Sequence, residues 1–413
     1  MRSPKIRFKG YSEDWEQRKL SEIATMHARI GWQNLRTSEF LDDGDYMLIT
    51  GTDFEDGRIN FSTCHYVEKE RYDQDRNIQI SDGSILITKD GTLGKVAYVQ
   101  GLKKPATLNA GVFNVQIRKE NNVDGKYLFQ YLKAPFLMDY VGQKATGGTI
   151  KHLNQNILVD FPVVMPKIEE QERLGAYFEQ LDLLITLHQR KCEQTQKLKK
   201  YMLQKMFPQD KTNVPKIRFD GFTDAWEQRK LGELADKVTE KNGRLQYIET
   251  FTNSAEFGII SQRDFFDHDI AKIGSLDGYY IVRNEDFVYN PRISTSAPVG
   301  PINRNKLGRI GVMSPLYTVF RPHDVDTTYL EHFFKSKYWH SFMNYNGDSG
   351  ARSDRFSIKD SVFFEMPIPI PQIEEQRKIG EHLTQLDLLI TLHQQKCDQL
   401  QSIKKYMLQN MFV

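Results

Sequence analysis

The chain has 413 residues, of which 39% are hydrophobic and 27% are charged, and its formal net charge is +2. This length is too great for one core of ordinary size and indicates two or three domains. The small positive charge permits a nucleic-acid partner without arguing for one. The start MRSPKIRFKG lacks the apolar core of a signal peptide, and the three cysteines show no close pairing. No stretch approaches the roughly 18 apolar residues of a membrane span. We therefore expect a cytoplasmic protein with no membrane association.

Two constant blocks occur twice along the chain. The block PKIRFKGYSEDWEQRKLSEIA at 4–24 matches PKIRFDGFTDAWEQRKLGELA at 215–235. Residues 168–207 align without a gap to 373–412, and about two-thirds of the aligned pairs are identical. The order of blocks is therefore constant, variable, constant, and then the same again.

The variable stretches between these blocks differ in sequence but share local patterns. The strand pattern GSILITKD at 83–90 occupies the place of EDFVYNPR at 285–292, and VDGKYLFQYLKAPFL at 123–137 resembles VDTTYLEHFFKSKYW at 325–339. A short apolar, β-branched run that leads into a polar loop is typical of a buried strand. The patterns predict one scaffold used twice, with different loops.

Each copy of the longer block is predicted to form one helix of about 40 residues, or roughly 60 Å. Pro166 and Pro371 precede the two helices, and the glutamates that follow suit the positive end of a helix dipole. Apolar residues then recur at a 3-4 spacing, which is typical of a coiled-coil seam. Because each apolar stripe needs a partner, we expect the copies to pair antiparallel and to separate two domains.

Four loops of the variable stretches, at 88–95, 142–152, 290–309 and 346–359, are rich in basic residues, Ser, Thr, Asn and Gly. Arg and Lys can contact guanine edges and phosphates, and Asn, Ser and Thr can bond to bases or backbone. The candidate DNA-binding residues are Lys89, Thr92, Lys95, Lys144, Thr146, Thr149 and Lys151 in the first stretch, and Asn290, Arg292, Ser294, Arg304, Arg352, Ser353 and Arg355 in the second.

The sequence offers no complete catalytic or metal-binding motif. The segment DGTLGKVA lacks the first glycine and the final Ser or Thr of a P-loop. His188 with Cys192, and His393 with Cys397, have the spacing of two ligands on one helix face and could form a zinc site. A coiled-coil seam also accommodates these side chains, and we favour that structural role. We predict no metal and no catalytic residue on this chain.

The alternation of constant and variable blocks resembles the specificity subunit of type I restriction-modification systems over essentially the whole chain. The features that carry the resemblance are WEQRKL at Trp15–Leu20 and at Trp226–Leu231, the duplicated helices, and the Glu-Gln pairs at 170–171 and 375–376. The resemblance implies an α+β fold in which two α/β target recognition domains are joined by two long antiparallel coiled-coil helices, with a pseudo-two-fold internal repeat.

The resemblance also implies a division of the chain and a function. The expected segments are a first recognition domain with its constant segment (1–165), a first long helix (166–207), a linker (208–214), a second recognition domain (215–370) and a second long helix (371–413). Each recognition domain is expected to bind one half of a bipartite target in double-stranded DNA, and the helices to set the spacing. The implied partners are two methyltransferase subunits that bind S-adenosylmethionine and motor-nuclease subunits that use ATP and Mg²⁺, so no cofactor is expected on this chain.

The constant helices are the expected docking surface for the methyltransferase subunits. The candidate interface residues are Glu170, Gln171, Gln180, Asp182 and Gln189 in the first copy, and Glu375, Gln376, Gln385, Asp387 and Gln394 in the second. Two alternatives stay open at this stage. The chain could be part of a fused restriction-methylation enzyme, or a coiled-coil adaptor whose variable domains bind protein.

Overall fold

The computed structural model describes residues 3–144, 153–209, 212–266, 273–349 and 354–412. The chain forms two compact units, and each is described by itself. The first unit comprises residues 1–189 and 395–413, and the second unit comprises residues 190–394. The five segments predicted from the sequence follow the linear order of the chain, and that division stays a prediction.

The first unit contains the first variable stretch, the start of the first long helix and the end of the second. Its elements in chain order are β1 (Glu16–Lys19), α1 (Leu20–Ile23), β2 (Ala24–His27), β3 (Tyr46–Ile49), β4 (Phe54–Glu55), β5 (Arg58–Ile59), β6 (His65–Val67), α2 (Lys69–Asp73), β7 (Gln79–Ile80), β8 (Ile85–Thr88), β9 (Val96–Tyr98), β10 (Ala106–Leu108), β11 (Val112–Ile117), α3 (Gly125–Lys133), α4 (Pro135–Lys144), α5 (Gln155–Val159), β12 (Pro162–Met165) and α6 (Ile168–Lys205).

Two four-stranded sheets form the body of the first unit. One has the strand order β6-β3-β10-β7, with a parallel β3–β10 pair at its centre. The other has the order β2-β11-β8-β9 and is antiparallel throughout. The run ILIT of β8 is buried on both faces, as its β-branched composition predicts. Strand β1 pairs with β12, which places the first constant segment beside the start of α6.

The second unit repeats the second of these sheets. Its elements are β13 (Glu227–Lys230), β14 (Ala235–Lys237), β15 (Phe251–Ser254), β16 (Gly258–Ser261), α7 (Gln262–Phe266), β17 (Tyr280–Val282), β18 (Phe287–Tyr289), β19 (Ile302–Arg304), β20 (Gly311–Met313), β21 (Thr318–Pro322), α8 (Thr327–Lys335), α9 (His340–Asn346), α10 (Asp360–Phe363), β22 (Pro367–Ile370) and α11 (Ile373–Met411). The order β14-β21-β18-β19 corresponds to β2-β11-β8-β9, and the pair β13–β22 corresponds to β1–β12.

The two long helices, α6 and α11, pair antiparallel within each unit. In the first unit, Phe412 stacks on Phe178, and Lys404 Nζ lies 2.6 Å from Asp182 Oδ1. Between these two contacts the residue number rises on α6 and falls on α11, so the helices run antiparallel. The predicted apolar seam is buried or half-buried along both helices. The expected fold class, two α+β domains with two long helices and an internal repeat, is confirmed.

A short helix in each unit docks on a long helix through equivalent contacts. Asp124 caps α3 by accepting a hydrogen bond from the Tyr127 amide at 2.8 Å, and Asp326 caps α8 in the same way through Tyr329. A Cβ atom added to Gly175 would lie only 2.7 Å from the Asp124 carboxylate. Glycine therefore allows α6 to approach the start of α3 closely.

The same helices differ at one buried position. Gln130 of α3 donates a hydrogen bond to Asp182 at 2.8 Å, whereas the equivalent His332 of α8 lies 3.1 Å from the Thr384 hydroxyl. His332 is 1% exposed, and its Nδ1 has no hydrogen-bond partner within the described part of the chain. Burial, with a smaller effect of the nearby lysine ammoniums, lowers the pKa of His332 to about 3.

We expect the stability of the chain to depend on pH through this histidine. The unfolded ring takes up a proton near pH 6.5, but the folded ring stays neutral until about pH 3. The neutral ring therefore makes its full contribution to the free energy of unfolding above pH 6.5, and this contribution is lost as the pH falls. At pH 5 the loss is about 2 kcal/mol. Urea unfolding of the wild type at pH 7 and pH 5 measures it.

The matched variant is His332→Gln, which installs the residue of the first copy. The variant should lose most of the difference in the free energy of unfolding between pH 7 and pH 5. Both pH values lie above the range in which Glu331 titrates, because the pKa of Glu331 is lowered to about 2. An unchanged difference between the two pH values in His332→Gln would contradict the assignment.

The first constant segment contacts the end of α11 in the same way as the second constant segment contacts the end of α6. In the first unit the Ile6 amide donates to the Asn410 carbonyl at 2.9 Å, and in the second unit the equivalent Ile217 amide donates to the Lys205 carbonyl at 2.9 Å. Both junctions therefore join a constant segment to the last turn of a long helix.

We expect a circular permutant to fold. The permutant joins Val413 to Met1 through a short polar linker and begins between Pro208 and Val214, because exposed junctions tolerate such cuts. Its urea midpoint should match that of the parent chain within experimental error. A permutant opened inside α6 after Gln189 is the control, and it should be strongly destabilised. Equal midpoints for the two permutants would contradict the equivalence of the two junctions.

Candidate nucleic-acid interface

The loop at 88–95 connects β8 to β9 and is held by its own backbone. The Thr88 hydroxyl donates to the Thr92 carbonyl and accepts a hydrogen bond from the Lys95 amide at 3.0 Å. Gly91 and Gly94 have φ of +71°, a conformation that glycine adopts without strain. The side chains of Thr92 and Lys95 are exposed on this rigid turn. The loop therefore presents polar groups in a fixed geometry.

The second loop of the first unit returns to the first one. The Leu153 amide donates to the Lys89 carbonyl at 2.9 Å. A cleft of about 440 Å³ lies at this junction and is lined by residues 28–31, Lys89, Asp90, Phe113 and residues 153–155. Lys144 is exposed at the end of α4. The predicted residues Thr146, Thr149 and Lys151 lie outside the described residues.

The second unit has the same junction with different side chains. The Phe356 amide donates to the carbonyl of Pro291, the counterpart of Lys89, at 2.7 Å, so the segment before α10 meets this loop as the segment before α5 does in the first unit. Next to it, Arg292 and Arg355 form an antiparallel bridge, and both side chains are exposed. The two loops, more than fifty residues apart in sequence, therefore place two arginines opposite each other on paired backbone segments. Arg352 and Ser353 are not among the described residues.

Other predicted residues of the second unit have internal partners. Asn290 donates to the Asn253 carbonyl at 2.8 Å and accepts from the Arg292 amide, and Ser294 Oγ accepts a hydrogen bond from the Ala297 amide. Arg304 is largely buried between two carboxylates, 3.0 Å from Glu285 and 2.5 Å from Glu331. We therefore leave Arg304 out of the proposed DNA contacts, because its charge is already neutralised within the fold.

The two Glu-Gln pairs among the predicted subunit-interface residues are buried inside their own units. Glu170 accepts two hydrogen bonds from Arg7 at 2.8 Å, and Glu375 accepts the equivalent pair from Arg218. Gln171 donates to the Pro166 carbonyl and accepts from the Asp124 amide, and Gln376 repeats both contacts with Pro371 and Asp326. All four side chains are 2% exposed or less. These side chains join the constant segment, the long helix and the recognition domain within each unit, and their role at a subunit interface stays a prediction.

The remaining predicted interface residues are divided. Asp182 bonds to Lys404, and Asp387 to Lys199, so both aspartates have partners at the seam. Gln180, Gln385 and Gln394 are exposed, and Gln189 is half-buried. These glutamines stay candidates for a protein interface.

The long helices also have an apolar surface that was not predicted from the sequence. Leu183, Leu184 and Leu187 are between 42% and 57% exposed in the first unit, and their copies Leu388, Leu389 and Leu392 are equally exposed in the second. The segment LDLLITL has more leucines than one seam can bury, and this excess could have indicated a second apolar surface. Clustered exposed leucines are typical of a protein-binding surface.

The zinc hypothesis gains no support from the geometry. Cys192 Sγ lies 3.8 Å from the Ile390 carbonyl within the second unit, as expected for a thiol in a helix seam. Among the described residues, no group of three or more His, Cys, Asp or Glu side chains is arranged to bind a metal ion. Within the same residues, no helix is long and apolar enough to cross a membrane.

The chain therefore contains two copies of one α+β scaffold, and each copy has a joined pair of polar loops. This arrangement is typical of a protein with two similar binding domains. The family model for the type I restriction modification DNA specificity domain matches residues 12–197 and 223–402, so the chain belongs to this family. It is a specificity subunit with two recognition domains, as the sequence predicted.

Individual relatives agree with this assignment. A Methanocaldococcus jannaschii protein, provisionally described as the type I restriction enzyme MjaX specificity subunit, is 25% identical over 95% of this chain and 91% of its own length. The MjaVIII specificity subunit of the same organism is 23% identical over 80% of this chain and 78% of its own. The S subunit of the type I system of M. genitalium has the same fold, with a TM-score of 0.60 over 100% of this chain and 99% of that one at 14% identity.

We expect Lys95→Ala to weaken DNA binding about tenfold and to lower the slope of log K against log salt by about one, because one phosphate contact is lost. Lys119→Ala is the matched control. Lys119 is exposed just after the end of β11, whereas the loop at 88–95 lies beside the start of that strand. Fluorescence anisotropy of a duplex at several salt concentrations, with the assembled enzyme, measures both. Equal slopes for the two variants would exclude Lys95 from the interface.

Proposed function

We propose that each unit of this specificity subunit binds one half of a bipartite DNA target. The joined loop pair of the first unit would contact one half-site, and that of the second unit the other. The observation that carries the proposal is the equivalent junction, Leu153 to Lys89 and Phe356 to Pro291, on one scaffold used twice. Two loops held together at the edge of a sheet can present several donors to one groove, which direct recognition of bases requires.

The side chains at the two junctions differ, so the two half-sites should differ in sequence. The first unit offers Lys89, Thr92 and Lys95, and the second offers the neighbouring Arg292 and Arg355. Lysine suits phosphates as a compact charge, whereas a guanidinium can bond bidentately to guanine. In the first unit, Asn154 is exposed at the junction cleft and joins the proposed contacts.

We further propose that the long helices set the distance between the half-sites and dock two methyltransferase subunits. Those subunits would supply S-adenosylmethionine and the methyl transfer, and motor-nuclease subunits would use ATP and Mg²⁺. This chain would then contribute sequence choice and assembly, and no reacting group.

Domain exchange tests the recognition proposal. Replacing residues 25–165 with those of a related subunit should change one half of the methylated motif and leave the other half unchanged. Methylome sequencing of cells that carry the parental or the exchanged gene, with the same methyltransferase, measures the result. Replacing residues 236–370 is the reciprocal control. Changes in both halves after a single exchange would contradict the proposal, and an adaptor that binds only protein would show no motif at all.

The exposed leucines are the proposed docking surface for the methyltransferase subunits. Replacing Leu183, Leu184 and Leu187 with Ser should weaken the binding of one methyltransferase subunit at least a hundredfold, because burial of these side chains is lost. Replacement of Leu388, Leu389 and Leu392 should affect one further subunit. Mass photometry of the purified complexes counts the subunits.

The control for these variants is the replacement of the exposed apolar residues Ile248 and Leu316 with Ser, away from the helices. It should leave the stoichiometry unchanged. A complex of normal composition after all six leucine replacements would show that the methyltransferase subunits bind elsewhere.

A further inference from the structure

The second unit contains a large cleft that the proposed function does not use. The cleft has a volume of about 1130 Å³ and lies where the end of α6, the α8–α9 turn and the middle of α11 meet. Its wall includes the aromatic residues Phe207, Tyr338, Trp339 and Phe342. Small-molecule sites usually have volumes of roughly 300–1,000 Å³, so this cleft has room for such a ligand together with water.

The first unit provides an internal comparison. Its own cleft includes Phe136, Tyr140 and Pro162, which are the counterparts of Tyr338, Phe342 and Pro367. That cleft has about 260 Å³, and none of the described residues that line it is charged. The shared scaffold therefore does not require a large basic cleft at this place.

The differences between the copies lie in the α8–α9 turn and α9. The second unit has Ser336, Lys337 and Ser341 where the first unit has Ala134, Pro135 and Asp139. All three residues of the second unit line its cleft. The changes add an ammonium group and two hydroxyls, and they remove a carboxylate.

The charges that line the cleft have a positive balance. Lys199 and Lys335 both contact Asp387, and Lys335 also lies 2.8 Å from Glu331, so these groups largely neutralise one another. Lys200 and Lys337 are exposed, and neither has a carboxylate partner among the described residues. Two ammonium groups are thus left for a ligand, beside an aromatic wall.

We propose that this cleft binds a nucleoside phosphate. Lysines suit phosphate oxygens, and aromatic faces stack on a nucleobase of any identity. Trp339 is 2% exposed and its indole donates to the Phe334 carbonyl at 2.9 Å, so the half-buried Tyr338 and Phe342 are the aromatic faces that a base can reach. The source is either a free nucleotide or a nucleotide within single-stranded nucleic acid, since both have the same ring and phosphate. The inference does not rest on the recognition of the DNA target.

Isothermal titration calorimetry of the full-length chain tests the proposal. The ligands are ADP, adenosine, pyrophosphate and a single-stranded tetranucleotide. ADP should bind at least about tenfold more tightly than adenosine or pyrophosphate, because ring and phosphates bind together. Lys337→Ala and Lys200→Ala should each weaken ADP binding about tenfold. If the tetranucleotide binds, ADP does not, and Lys337→Ala weakens the tetranucleotide, the source is nucleic acid.

Matched controls come from the first copy. Lys405→Ala removes the counterpart of Lys200 from the first unit and should leave the affinity unchanged. Ser341→Asp introduces the carboxylate of the first copy and should weaken binding at least tenfold. Pyrophosphate binding as tight as that of ADP, an equal effect of Lys405→Ala and Lys200→Ala, or no saturation by ADP or tetranucleotide at about 5 mM would each overturn the proposal. The methylated motif of Lys337→Ala, measured separately, should be unchanged.

Discussion

Each unit depends on a phenylalanine at the end of a long helix that begins in the other unit. Phe412 packs against Tyr127, Phe178 and Tyr131 in the first unit, with ring centroids 5.4 to 5.6 Å apart. Phe207 occupies the equivalent place against Tyr329 and Phe333 in the second unit. Truncating a buried phenylalanine typically costs about 3–5 kcal/mol. A recognition domain without the far end of the other helix would therefore have an open core.

This dependence explains why the same helix sequence occurs twice. The seam must be antiparallel, so the apolar residues near the start of one copy pack against those near the end of the other. A change in one copy alone would misfit in both units, because each copy contributes its start to one core and its end to the other. The loops have no such constraint, since only their backbone junctions are shared between the units.

The sequence predicted these long elements well because their signals are local. The 3-4 spacing of the seam and the prolines before each helix lie within a few turns of the features they predict. The burial of Glu170 and Gln171 could not be predicted, for the opposite reason. Their partners, Arg7 and Asp124, are 163 and 47 residues away, so only the fold reveals that the polar pair is buried.

The candidate site follows the same distinction. The loops could be identified by composition, but the bridge between Arg292 and Arg355 joins residues 63 positions apart and needed the fold. Arg304 has the same residue type as those two and lies in the predicted loop. Its β19 position directs it to Glu285 and Glu331 instead. Residue type predicts what a side chain can do, whereas partners decide whether it is free to do it.

The distribution of charge separates affinity from sequence choice. The chain has a net charge of only +2, and several of its arginines have carboxylate partners, such as Arg309 with Glu249 and Arg321 with Asp286. Non-specific DNA affinity comes from basic groups that displace counterions from phosphates, and paired arginines contribute little to it. Under the proposed function, such a subunit would gain discrimination from a few exposed loop residues. Under the proposed function, the bulk of the phosphate contacts would come from partner subunits docked on the helices, which would give the duplicated helices a second role besides completing the two cores.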